Sequence, residues 1–180
     1  ARRINKKVGP IEFSGESLRV YPEACDPVLR ELVHVFTNIV VHGIEDEAQR
    51  KELGKPTHGR ISVNLSSDSS GDRRMIRIKI ADDGRGIDPE RIRRRWKTQD
   101  ETKSMSDDQL IQLVFEPGFT LASSVTEYAG RGVGLNALKN TVVSRGGHVH
   151  VASKKGQGTE FLIEFPDRPS LSESGTKLAV

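Results

Sequence analysis

Met75–Asp88 reads MIRIKIADDGRGID, and its two halves obey different rules. In the first half Ile76, Ile78 and Ile80 alternate with Arg77 and Lys79, the period of a strand with one buried face. The second half, Asp82-Asp83-Gly84-Arg85-Gly86, puts a carboxylate at the strand's end with two glycines behind it. Upstream, Ile61, Val63 and Leu65 alternate in the same way, so the two segments form a hairpin across the turn at Ser67 to Arg73. Downstream, Val149 with Val151, and Phe161 and Ile163 with Phe165, give two more strands around Gly156-Gln157-Gly158. Hairpins dominate and strand–helix alternation is missing, which disfavours a doubly wound parallel sheet.

Between these strands lie the helices. From Pro27 to His42, Leu29, Leu32, Val33, Phe36, Ile39 and Val40 recur at three and four, predicting a long helix with one face on a core and a stop at Gly43. Leu135, Leu138, Val142 and Val143 predict a second. Short helices are expected at Asp46 to Leu53, at Pro89 to Lys97 and, capped by Ser106, around Leu110 to Val114. Ile11 to Phe13 with Ser17 to Val20 reads as a further hairpin, and Glu45 to Gly59 as a solvent-facing polar stretch. The expected class is α+β: a two-layer α/β sandwich, its sheet mixed but largely antiparallel, its helices on one face, with a cavity between the layers.

With 180 residues, the chain has room for one compact domain, placed at residues 1–167, followed by a flexible tail or linker at 168–180. A formal charge of +3 is too slight to announce a nucleic-acid binder. One cysteine, Cys25, excludes an internal disulfide framework, and no apolar run approaches the ~20 residues of a membrane span. The expectation is a cytoplasmic location, with no nucleic acid and no direct membrane span. An opening at Ala1 without Met and a Ser-rich end suggest an excerpt of a longer protein.

Four features could carry chemistry. His34, Asn38 and His42 lie four apart, and ~400° per four residues aligns them in a slowly drifting stripe beside the core face. Asn38 offers an amide oxygen to Mg²⁺, though ordinary helix-surface polar residues would look the same. Zinc fits less well, because no HExxH pattern or Cys cluster completes a site. Asp82 could accept a hydrogen bond from an exocyclic amine such as adenine N6, with Gly84 and Gly86 leaving space for the ring; a plain strand-to-helix turn uses the same residues. Gly130-Arg131-Gly132-Val133-Gly134 precedes a helix, whose free N–H groups suit phosphate, but it satisfies no dinucleotide or P-loop fingerprint. Arg91, Arg93, Arg94, Arg95 and Lys97 around Trp96 read as an exposed basic helix face from which an arginine could still pair with a phosphate.

In order along the chain, the Asn38 helix, the Asp82 to Gly86 turn, Phe115-Glu116-Pro117-Gly118-Phe119, the Gly130 to Gly134 turn and Gly156-Gln157-Gly158-Thr159 resemble the N, G1, F, G2 and G3 boxes of the GHKL ATP-binding family. Within it, the HxxxNxxxHGIE pattern from His34 to Glu45 is most similar to the catalytic domains of CheA-type chemotaxis histidine kinases. The resemblance implies ATP and Mg²⁺ as cofactors, Asn38 as the metal ligand, and His34, Asn38, His42 and Arg95 as catalytic. It implies a nucleotide pocket shaped by Asp82, Gly84, Gly86, Gly130, Arg131, Gly132, Val133, Gly134 and Thr159, with Arg95 near the phosphates and a flexible ATP lid at about 98–129.

The function it implies is transfer of the ATP γ-phosphoryl group to a histidine on a separate phosphotransfer domain, in cis or trans, in two-component chemotaxis signalling. Dimerisation and adaptor-coupling domains of a parent kinase and, indirectly, response regulators would be partners. Thr37 and Val41 stand where the related kinases usually carry Arg and Asp, and Asn136 where Asp is frequent. These departures keep open an impaired nucleotide-binding regulatory module of the same fold; a GHKL ATPase is the further alternative, which His34 in place of Glu in the first box argues against.

Overall fold

Alternation in Ile61–Asp68 (β2) and Met75–Asp82 (β3) produces the antiparallel pair expected of it, with Val63 opposite Ile80 and Leu65 opposite Ile78. The structure, a computed structural model, describes residues 6–69, 73–96, 98–119 and 134–168. Gly158–Pro166 (β5) pairs antiparallel with β3, and His148–Lys154 (β4) pairs antiparallel with β5. Glu12–Gly15 (β1) runs parallel to β2, giving a five-stranded mixed sheet in the order β1-β2-β3-β5-β4.

One face of this sheet is apolar. Ile76, Ile78, Ile80, Phe161, Ile163 and Phe165 bury there with side chains from Pro22–Thr37 (α1) and Gly134–Val143 (α6), two helices that also pack on each other. The other face carries cross-strand ion pairs, Arg77 with Glu164 at 2.5 Å and Lys79 with Glu160 at 3.3 Å. Charge on one side and aliphatic side chains on the other give the two-layer architecture its single core. Among the described residues, the layer interface is filled by this apolar cluster, including Val28, Val35, Ile39 and Leu138.

Glu47–Glu52 (α2), Pro89–Arg95 (α3) and Asp107–Gln112 (α5) fall where short helices are expected. Asp88 caps α3 with Pro89 in its first turn, and Ser106 caps α5 reciprocally with Gln109. Gln99–Thr102 (α4) is a further short helix. In the stretch 98–129, Leu110, Ile111 and Phe115 reach the core, while 120–129 lie outside the described residues.

Three expectations need correcting. Ser17 to Val20 forms no strand, and the expected N-terminal hairpin is absent: β1 lies instead on the outer edge of β2, whose unpaired ladder is a longer template than a short isolated hairpin. The first long helix begins at Pro22, drawing Ala24 and Cys25 into the core, and its buried stripe passes through Val28 and Val35 while Leu29, Val33 and, on α6, Val143 stay exposed. Glu45 to Gly59 is not uniformly solvent-facing, because Glu45 and Arg50 are buried against each other and the turn after β3.

Candidate nucleotide-binding site

Asp82 is the last residue of β3, directly opposite Thr159 of β5, and it is buried. Its Oδ1 accepts a hydrogen bond from the Gly84 N–H at 2.8 Å, whereas its buried Oδ2 has no hydrogen-bond partner. Burial, reinforced by the neighbouring carboxylates of Asp83 and Glu45, pushes its carboxyl group up to about 6 against the opposing pull of the Gly84 N–H and, more weakly, of the Thr159 backbone N–H. An unsatisfied buried acceptor of this kind is costly unless a donor from elsewhere completes it. Space around it is kept by small residues. A Cβ on Gly84 would lie 2.4 Å from the Gly43 carbonyl and 2.7 Å from Asp82 Oδ1, and Gly43 itself abuts the carboxylate. Gly86 follows in the same turn, and Thr159, also buried, shares its hydroxyl with Ser153 Oγ at 3.0 Å.

From Asp82 the site runs along one helix. After Thr37 the chain widens into a π-helix, Asn38–Gly43, in which the Ile44 N–H reaches back to the Ile39 carbonyl at 2.8 Å. Thr37 Oγ1 donates to the Val33 carbonyl just before this change, a back-bond that bends helices. Asn38 Nδ2 donates to the His34 carbonyl at 2.7 Å, which turns the amide's oxygen side away from its own helix. Asn38–Gly43 closes i to i+5 rings, so the α-helical spacing of His34 and Asn38 does not carry through to His42 unchanged.

His34 marks the far end of this line. A Cβ on Gly134 would fall 2.6 Å from His34 Nδ1, so the start of α6 rests on the imidazole. On its other side, Nε2 lies 3.4 Å from Glu31 Oε2, a partner that sequence patterns did not single out. Gly134 at one end and Asp82 at the other are thus bridged by one helical segment carrying Asn38. Gly130, Arg131, Gly132 and Val133 lie outside the described residues.

His42 is half-buried, and burial lowers its pKa, with the nearby cations Lys6, Arg91 and Arg85 acting in the same direction. Lys6 Nζ also donates to the Val41 carbonyl at 2.5 Å. Arg95 lies one turn beyond Arg91 on α3 and is exposed. Of the three cations beside His42, Arg91 belongs to the basic stretch singled out in the sequence, while Lys6 and Arg85 come from two other segments and were not phosphate candidates.

Behind the Asp82 turn sits a charge network that the sequence also hid. Buried Arg50 donates to Glu45 Oε2 at 3.0 Å and to Asp83 Oδ2 at 2.8 Å, and Lys55 Nζ donates to Glu45 Oε1 at 2.8 Å and to the carbonyls of Asp83 and Gly84 at 2.9 and 2.7 Å. These bonds fix the peptide planes on either side of Gly84. Near the other end, Asn136 Nδ2 donates to the Phe115 carbonyl at 3.0 Å, a bond that Asp at this position could not make, and Lys139 pairs with Glu116 at 2.8 Å.

A mixed sheet covered on one face by helices, with an orphaned carboxylate at the end of a central strand, defines a two-layer α/β protein with an incomplete polar site at one end of its sheet. Residues 28–169 match the family described as histidine kinase-, DNA gyrase B-, and HSP90-like ATPase, and the chain belongs to that family. It is 40% identical over 145 residues to a gliding motility regulatory protein of Myxococcus xanthus, covering 78% of this chain and 18% of that protein. It is 35% identical over 170 residues to the chemotaxis protein CheA of Bacillus subtilis, covering 92% of this chain and 25% of that protein. These similarities bear out the CheA-type catalytic-domain resemblance, while the chain spans a quarter or less of the length of these relatives. Among solved structures, a mycobacterial sensor histidine kinase, MprB, superposes with a TM-score of 0.54 at 23% identity, covering 93% of this chain and 87% of the other, which bears out the fold. No helix among the described residues is long and apolar enough to cross a membrane.

Proposed function

We propose that this domain binds ATP with Mg²⁺ and donates the γ-phosphoryl group to a histidine on a separate phosphotransfer domain in chemotaxis-type two-component signalling. The observation that carries the reading is the buried Asp82 Oδ2 without a partner, an acceptor suited to the adenine amino group. Gly84 and Gly43 keep backbone and side-chain bulk away from that carboxylate, and Thr159 borders it. Asn38, whose amide nitrogen is engaged by its own helix, would hold Mg²⁺ through its oxygen. When bound, the metal would offset charge on the phosphate oxygens.

His34, flanked by Glu31 and Gly134, would orient the attacking imidazole or take its proton. The cations beside His42, with Arg95 on the same helix as Arg91, would offset phosphate charge, together with backbone N–H groups of the Gly130 to Gly134 turn. The acceptor domain, a dimerisation domain and an adaptor-coupling domain would belong to a parent kinase acting in the cytoplasm, with response regulators downstream.

A second reading, a binding module without turnover, is favoured by Thr37 and Val41: the hydroxyl of Thr37 is engaged by its own helix, and the carbonyl of Val41 takes Lys6. Labelled ATP, Mg²⁺ and the phosphotransfer domain of a CheA relative separate the readings. Acid-labile phosphate on the acceptor, lost in Asn38→Ala, is the expected result; tight nucleotide binding with an unlabelled acceptor favours the second reading, and steady phosphate release without acceptor favours an ATPase.

A further inference from the structure

At the opposite end of β3 from Asp82, roughly 25 Å away by strand rise, the chain forms a second cleft. Its volume is about 540 Å³, and Arg19, Arg73, Arg74 and Arg168 line it against a single carboxylate, Asp167. Arginine therefore dominates the lining.

The internal contacts show what such a surface accepts. Arg74 Nε donates to Asp167 Oδ2 at 2.8 Å, and Arg74 Nη2 donates to the Arg19 carbonyl, so one arginine already seats a carboxylate and ties the rim to the sheet. Arg168 lies over the Tyr21 ring at 5.1 Å from its centre, which holds that guanidinium at the mouth. Arg19, Arg73 and Arg168 are exposed. Beside them, Val20 and Tyr21 are 38% and 46% exposed, an apolar strip within the cationic frame.

We propose that this cleft docks an acidic segment of a partner protein, with carboxylates on Arg19 and Arg168 and an apolar side chain against Val20 and Tyr21. A carboxylate-rich peptide uses every part of the lining. A lone phosphate would leave the apolar strip and most of the volume without a contact, and residues 169–180, with Glu173 as their one acidic side chain, lack the charge to fill it. Arginine is suited to the role because its planar fork pairs carboxylates through two bonds. The proposal does not depend on nucleotide or on phosphoryl transfer.

Fluorescence anisotropy of a labelled decapeptide of glutamates with two central leucines, added to the full chain, tests it. Saturable binding that weakens with salt, persists in saturating ADP and falls about tenfold or more in Arg19→Glu/Arg168→Glu is expected. Arg94→Glu, the same charge reversal at a single position on the exposed face of α3, should leave the affinity within about twofold. Equal sensitivity to Arg94→Glu, competition by ADP, displacement by millimolar inorganic phosphate, or no saturation at about 1 mM peptide would each overturn the proposal.

Discussion

Asp82 and Asp83 are adjacent at the end of β3, and their carboxylates live under opposite conditions. Asp83 faces the back of the turn, where Arg50 binds one oxygen at 2.8 Å and the Arg60 N–H binds the other at 2.9 Å. Asp82 faces the core side, with Oδ1 on the Gly84 N–H and Oδ2 on nothing. One side of the turn is satisfied by the protein itself; the other is left incomplete at a substantial electrostatic cost. The contrast teaches how the fold divides its labour: the paired side holds the turn still so that the unpaired acceptor keeps its position for a ligand donor.

The comparison breaks hardest at Arg50. Its guanidinium is fully buried and joins Glu45 to Asp83, so Arg50→Leu would leave Glu45 with Lys55 alone and Asp83 with only the Arg60 N–H. Removing one member of a buried ion pair typically costs about 3–5 kcal/mol, and urea unfolding should show a loss of that size. Adding Glu45→Gln should restore part of it, since one of the stranded charges is then gone. Stability unchanged by Arg50→Leu would mean that the network does not hold the turn.

Asp82→Asn probes the other side, with a smaller effect of opposite sign on stability. The folded carboxyl group titrates near 6 against an ordinary value of 3.8, so the folded state keeps this proton to higher pH than the unfolded chain does. The stability contributed by the group is therefore complete below pH 3.8 and lost as pH rises through about 6, a penalty of about 3 kcal/mol at neutral pH. Asn carries no such penalty. The nucleotide-free variant should melt higher at pH 7, yet bind an ATP analogue about 100-fold more weakly in calorimetry, because an amide donor would then face a donor. Lower stability together with unchanged affinity would contradict both halves of the argument.

Where the sequence was legible, a single local rule decided the outcome. Alternation at Ile76, Ile78 and Ile80 needed no partner to be read as a strand, and Ser106 marks its own helix start. The Asp82 turn was legible because a carboxylate after a strand and glycines behind it form one contiguous signal. Regions decided by distant groups were not. Apolar residues cover so much of α1 that periodicity could not choose between Val28 with Val35 and Leu29 with Val33; packing against α6 and the sheet made that choice. Arg50 looked like any charged residue of a polar stretch, because its partner Asp83 is 33 positions away. The π-helix and the grouping of cations around His42 were equally hidden, the first set by tertiary fit and the second bringing Lys6 and Arg85 to Arg91 of the basic stretch.

Adenosine, which lacks phosphates, sharpens the comparison by reading Asp82 alone. Its amino group should favour the ionised carboxylate, so affinity should rise with pH and level off above about 6, being about tenfold weaker at pH 5 than at pH 7.5. ATP should show a shallower dependence. His42, whose pKa is lowered by burial and neighbouring cations, gains charge on acidification and would strengthen phosphate binding as Asp82 loses its charge. Asp82→Asn should flatten the adenosine profile and leave the His42 contribution to ATP binding in place. A wild-type adenosine profile already flat between pH 5 and pH 7.5 would mean that the purine is held elsewhere than at Oδ2, and the unpaired side of the turn would lose its functional explanation.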